Sequence, residues 1–229
     1  MSLAKSNKSA ARILAIDTAQ AETVIGLGDK IKSWISDRDQ SKKLLPKIDQ
    51  LLHRQKVTPK QLRGIVINLG PGSFTGLRVG ATVANGFGYG LKIPVVGMSE
   101  FDIIRAVYPK TDLIVLDAKR GELFTQEKAK APRLISIIRL TELIKKGSRV
   151  YIDDYRLIPQ IHEYLTGAGT IYIPGLSRRD KLAVMLRTAG QRVSRLAGKQ
   201  VGRAGEKTKK FALVMPLYLR GVNIAKPKR

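Results

Sequence analysis

Leu69 Gly70 Pro71 Gly72 Ser73 Phe74 Thr75 Gly76 Leu77 Arg78 Val79 Gly80 is a glycine-dense turn that runs straight into a helix. Ile65, Val66 and Ile67 before it read as a buried strand, and Ser73 is placed to cap the helix that follows. The unit is strand, tight loop, helix, which predicts an α/β fold. Glycine inside a helix costs about 1 kcal/mol relative to alanine, yet residues 73–91 include Gly76, Gly80, Gly86, Gly88 and Gly90. Gly76, Gly80, Ala84 and Gly88 share one helical face as a smooth seam, beside a stripe of Val79, Val83, Phe87 and Leu91. A seam without side chains admits another backbone or a ligand. Three readings stay open: an anion cradle at the helix N-terminus, a helix packed close inside its own domain, and a helix made for a partner.

A chain of 229 residues can bury a core as one large domain or two small ones. It has no cysteine, which excludes disulfides, thiolate metal sites and a cysteine nucleophile. With only His53 and His162, a histidine metal site would need carboxylate help. No run approaches the roughly 20 apolar residues that span a bilayer, and the polar residues 2–11 lack a signal-peptide core. The expectation is a soluble, cytoplasmic protein. Net charge is +24 and rises toward the C-terminus, where residues 176–229 set 15 basic side chains against Asp180 and Glu206. That field attracts polyanions. Arg178, Arg179, Arg192, Arg195 and Lys199 are candidate tRNA contacts, and with only Phe211 and Tyr218 as aromatics the contacts would be to phosphates.

Outward from the glycine turn, residues 12–17, 22–27 and 30–35 read as an antiparallel meander. Leu44, Leu45, Ile48, Leu51 and Leu52 lie on one helical face that starts near Lys43, which would leave Pro46 in the first turn. A strand at residues 94–98 follows the glycine helix, and Ser99 opens a helix through Tyr108 with Glu100 in its first turn. In the second half, residues 113–117 and 121–125 form a hairpin. After it come helical residues 141–146 and 155–165, strands at 149–153 and 170–173, and a last helix over 179–199. That helix has Leu182, Met185, Leu186, Ala189, Val193 and Leu196 on its apolar face and Lys181, Arg192, Arg195 and Lys199 on a flank. The expected domains are a tail (1–11), a first lobe with the partner-binding helices (12–109), a second lobe (110–220) and a basic tail (221–229).

Asp17 and Thr18 end the first strand where an actin-like ATPase places its first phosphate hairpin, but Ala19 stands where glycine would let phosphates approach. Asp17 with Asp117 could hold a metal or act as acid and base; alternatively each is a turn residue. Ser73 and Thr75 lack a histidine base with a favoured position.

Ile13 Leu14 Ala15 Ile16 Asp17 Thr18, Ser41 Lys42 Lys43 Leu44 Leu45 Pro46, Gly70 to Gly80, Asp117 Ala118 Lys119 Arg120 Gly121 Glu122 Leu123 Phe124 and Pro216 Leu217 Tyr218 Leu219 Arg220 resemble, in this order, the bacterial TsaB/YeaZ family. The resemblance implies a two-lobed actin-like fold of the ASKHA, RNase H-like type, with mixed sheets flanked by helices. It implies a role in making threonylcarbamoyladenosine beside the anticodon of tRNAs that read codons beginning with A. The family member is not the transferase but a non-catalytic scaffold that binds and activates it, with no catalytic or metal residues. The implied partners are a transferase paralogue of the TsaD type and a small ATPase of the TsaE type; the basic C-terminal residues add tRNA, an apolar face awaiting a partner adds a homodimer when the chain is alone, and no membrane is expected. No cofactor is implied, beyond a nucleotide at the partner junction. The partner would meet Leu44, Leu45, Ile48, Leu52, Gly76, Val79, Gly80, Val83, Ala84 and Phe87. Gln40 departs from the family, whose members often carry histidine there; in the related transferase, histidines of the corresponding helix help hold a metal. The alternatives are an actin-like ATPase or kinase using Asp17 and Asp117, and a basic tRNA-binding module.

Overall fold

Ile13 and Ala15 point to one side of the first strand and Leu14 and Ile16 to the other, and all four are fully buried. A strand apolar on both faces must lie between two layers. In the computed structural model, which describes residues 12–36, 39–153, 161, 171–173, 175–200 and 213–219, that strand is β1 (Ile13–Asp17). It pairs antiparallel with β2 (Glu22–Leu27), which pairs with β3 (Lys30–Ile35), and parallel with β4 (Gly64–Asn68), beside β5 (Val95–Met98). The sheet order is β3-β2-β1-β4-β5.

Helices α1 (Gln40–Arg54) and α2 (Phe74–Leu91) cover one face, where Leu44, Ile48, Leu51, Leu52, Ala81 and Ala84 join Leu14, Ile16, Ile25 and Ile67 in one core. Ser73 caps α2 by accepting from the Gly76 amide at 3.2 Å, and Lys92 ends it in a left-handed conformation. Helix α1 begins three residues earlier than its apolar pattern predicts, so Pro46 lies inside it rather than in its first turn. The proline removes the amide that would bond the Lys42 carbonyl, at an exposed position that water can reach.

The other face carries α3 (Glu100–Val107), opened by a Ser99–Asp102 capping box, and α4 (Arg178–Gln200). Leu182, Val184, Met185, Leu186 and Val193 of α4 pack on Ile13, Ala15, Val24 and Val66. Bare strand positions admit this helix: a Cβ on Gly26 would sit 2.7 Å from Leu182, and one on Gly64 2.5 Å from Val193. This corrects the expected second lobe of residues 110–220, because residues 176–216 belong with 1–109 in the first compact unit.

The second unit, residues 110–175 and 217–229, repeats the pattern. Here β6 (Leu113–Asp117), β7 (Glu122–Glu127) and β8 (Arg133–Ser136) form the meander, and β9 (Arg149–Ile152) and β10 (Ile171–Ile173) extend it in parallel, in the order β10-β9-β6-β7-β8. The expected helix at 141–146 is instead a 3-10 segment, Ile137–Glu142, with Leu140 buried against this sheet. Of the helix expected over 155–165 only Ile161 lies within the described residues; both tails lie outside them. Among the described residues no helix is long and apolar enough to cross a membrane.

Candidate functional site

The β1–β2 hairpin is where a phosphate cradle would have to form, and most of its polar groups bond within the chain, the buried Thr18 hydroxyl being the exception. Asp17 Oδ1 accepts from the Ala19 amide at 3.0 Å, and the Ala19 carbonyl accepts from the Ser73 amide at 2.7 Å. Gly72 and Gly76 lie directly on the Ala19 and Thr18 carbonyls, where a Cβ on either glycine would collide with the oxygen. From α1, Gln40 Nε2 donates to the Gln20 carbonyl at 3.0 Å and to Thr23 Oγ1 at 3.1 Å. Anion binding needs free amides, but the Ala19, Ser73 and Gly76 amides all bond within the chain. The glycine turn therefore fastens α2 onto the hairpin by backbone contact.

Below the hairpin lies a buried charge cluster at the C-terminal ends of β1 and β4. Asp17 Oδ2 pairs with Arg178 Nη1 at 2.9 Å, with Asp17 wholly buried and Arg178 nearly so. The same guanidinium nitrogen is 3.8 Å from Glu100 Oε1, which Lys181 Nζ contacts at 2.6 Å. Asn68 Nδ2 donates to Glu100 Oε2 at 2.5 Å, and its Oδ1 accepts from the Gly70 amide at 2.9 Å. Burial pushes the Glu100 carboxyl up; the charges of Lys181 and Arg178, with hydrogen bonds from Lys181 and Asn68, outweigh it and hold the group below its ordinary value. Asp17, proposed from sequence as a metal or acid residue, is thus a partner of Arg178. In the second unit Asp117 ends β6, accepts from the Lys119 amide at 2.7 Å and pairs with the Lys119 ammonium, as a turn residue does.

Most of the expected partner residues face inward. Leu44, Ile48, Leu52 and Ala84 belong to the first unit's core, and Gly76 and Gly80 pack on Thr18. Buried in this way they make contacts within the chain, which corrects their assignment to a partner surface. The smooth seam is the inner side of α2, because carbonyls and a sheet edge approach it there. What α1 and α2 leave outward is Leu45, 50% exposed, Phe74 and Tyr89, with the partly buried Val79, Val83 and Phe87 at the margin.

The cationic candidates also separate. Arg178 is taken by Asp17 and does not serve as a surface contact, and Lys181, placed on a flank from sequence, is 1% exposed against Glu100. Arg179 and Arg192 are exposed; the side chains of Arg195 and Lys199 lie outside the described residues. Sequence reasoning missed Glu100, Asn68 and Gln40 as cluster and hairpin residues. One signal was present for Lys181: it stands three and four residues before the apolar Val184 and Met185, on their face of the helix.

Residues 33–214 match the family model TsaD, tRNA N6-adenosine threonylcarbamoyltransferase. The chain is 32% identical over 121 residues to the tRNA threonylcarbamoyladenosine biosynthesis protein TsaB of Bacillus subtilis, covering 49% of this chain and 53% of that one. It is 28% identical over 152 residues to TsaB of Buchnera aphidicola, covering 60% and 70%. Over most of these matches the chain spans about half the length of the curated relatives. YeaZ from Pseudomonas aeruginosa shares the fold with a TM-score of 0.57 at 17% identity, over 90% of this chain and 99% of that one. The paired sheets, the hairpin with its glycine turn and the match across most of its length show that the chain belongs to the TsaD family, in its TsaB/YeaZ branch.

Proposed function

We propose that the chain is a non-catalytic subunit of threonylcarbamoyladenosine synthesis on tRNA, binding and activating a TsaD-type transferase. The observation that carries this reading is the hairpin, where nucleotide chemistry would have to occur: Gly72, Gly76 and Gln40 close it, and Arg178 neutralises Asp17. A chain of the transferase's own family whose hairpin is closed by its own backbone, Gln40 and Arg178 supports a role carried out through its surface. Helices α1 and α2 supply that surface through Leu45, Val79, Val83, Phe87 and Tyr89. A small ATPase of the TsaE type joins the assembly, and the chain needs no cofactor of its own, any nucleotide lying at the partner junction.

The test is co-purification of the full chain with the transferase of the same genome, followed by a tRNA modification assay. Stable association and modification that depends on both proteins support the reading. Modification by the transferase alone at the full rate would sink it. Tight Mg-ATP binding and hydrolysis by the isolated chain, lost in Asp17→Ala, would favour the ATPase alternative. Direct tRNA contact through Arg179 and Arg192 is a second reading, favoured by their exposure; it requires affinity that falls linearly with log salt.

A further inference from the structure

An extended segment, Leu213 to Leu219, contains no charged residue in a chain that is 26% charged. It is held on α2 by one side chain. Asn85 Nδ2 donates to the Val214 carbonyl at 3.0 Å, and the Val214 amide donates to Asn85 Oδ1 at 3.0 Å. The carboxamide thus pairs with both polar groups of one residue, as a neighbouring strand would. Val214 is partly buried against the core that α2 covers, and the alternation of an extended chain turns its neighbours outward: Leu213 is 67% exposed and Met215 72%.

The place of this strap on α2 decides what it can do. At 3.6 residues per turn, Asn85 lies about 160° around the helix from Val83 and from Phe87. The strap therefore borders α2 on the flank opposite the Val79, Val83 and Phe87 stripe. Between the two flanks runs the exposed ridge of Thr82, Gly86 and Tyr89, where a Cβ on Gly86 would meet nothing within 4 Å. The strap leaves the ridge uncovered and adds two large apolar side chains beside it.

We infer that Leu213 and Met215, presented by the Asn85 clamp, form a third element of the transferase-docking face, alongside α1 and α2. This rests on the docking role proposed above. Charge selects the occupant. Asp49 is the one acidic residue in the sequences of α1 and α2, which carry Lys42, Lys43, Lys47, Arg54 and Arg78; Lys43 pairs with Asp39 just before α1, and the others leave the face net positive. A second copy seated symmetrically would set these cations against themselves, whereas a partner with an apolar centre and an acidic rim complements them.

The experiment measures affinity of the full chain for the purified transferase, in the wild type, in Leu213→Ser with Met215→Ser, in Asn85→Ala and in Val83→Glu, with sizing of each protein alone. Val83→Glu reports on the α2 face itself. The expected result is a dissociation constant raised at least about tenfold in the strap double variant, and raised several-fold in Asn85→Ala. Both strap side chains are exposed, so the double variant keeps its fold, checked by an unchanged melting temperature. If Val83→Glu loses binding while the strap variants bind as the wild type, the strap inference falls and the docking role stands. Tighter binding by the strap variant would mean that the strap covers the face, and also overturns the inference. A wild-type homodimer that the strap variant dissolves, with transferase affinity unchanged, assigns the strap to a second copy instead. No binding by the wild type overturns both readings.

Discussion

Glycines of α2 that look alike in the sequence have opposite physical roles. Gly76 lies against the Thr18 carbonyl with no room for a methyl group, while Gly86 faces open space. Gly76→Ala is expected to destabilise the chain by about 1–3 kcal/mol through overpacking. Gly86→Ala is expected to stabilise it by about 0.5–1 kcal/mol, because alanine has the higher helix propensity and nothing is displaced. Urea unfolding of the two variants tests both signs. The buried pair Glu100 and Lys181 makes a second prediction at single positions. Lys181→Met leaves the buried Glu100 carboxylate with only the more distant Arg178 guanidinium and the Asn68 amide, and should cost about 3 kcal/mol. Adding Glu100→Gln removes the stranded charge, so the double variant should be more stable than Lys181→Met alone. An unaltered or lower stability of the double variant would show that the pair is not coupled as its 2.6 Å contact indicates.

Helix α4 is the element whose identity was legible and whose address was not. Its apolar spacing placed it at residues 179–199, against an observed Arg178–Gln200. An amphipathic stripe specifies only that some apolar surface is covered, and sequence order assigned this one to the neighbouring lobe. The signals for its real seat are Gly26 and Gly64, which read as ordinary strand residues until Leu182 and Val193 are seen against them. The glycine seam of α2 was misplaced for a related reason: its closeness to another backbone was legible, but a partner and the chain's own hairpin need the same absence of side chains. The three-strand meander, β4, β5 and the Asp117 turn were readable because each rests on local alternation and turn chemistry. Helix α4 also carries a pH dependence. Glu100 has a folded value below its unfolded one, so its stabilisation is present above the unfolded value and is lost as pH falls through the folded value. Acid titration is expected to raise amide exchange in α4 before β1, and Glu100→Gln is expected to flatten that response.

The whole molecule sets one plan twice, an antiparallel meander extended by parallel strands, but α4 gives the first unit a layer drawn from the far end of the chain. On the reading proposed above, the surface of α1 and α2 carries the role. A chain carrying Val79→Glu and Val83→Glu, both partly buried against the core, is expected to fold with a lowered melting temperature and to lose transferase binding together with tRNA modification. Normal modification by that variant, once shown to be folded, would remove α2 from the docking role. The seat of α4 has a further consequence for how the protein is made. While the ribosome has released only the first half, Ile13, Ala15, Val24 and Val66 have only the short α3 over them, since Leu182 to Val193 are not yet synthesised. The nascent first half is then a sheet with one greasy side, which must be shielded by a chaperone or wait unfolded until residue 193 emerges. A translation pause between the two halves would prolong that exposure, and a chain truncated after Pro109 should aggregate rather than fold.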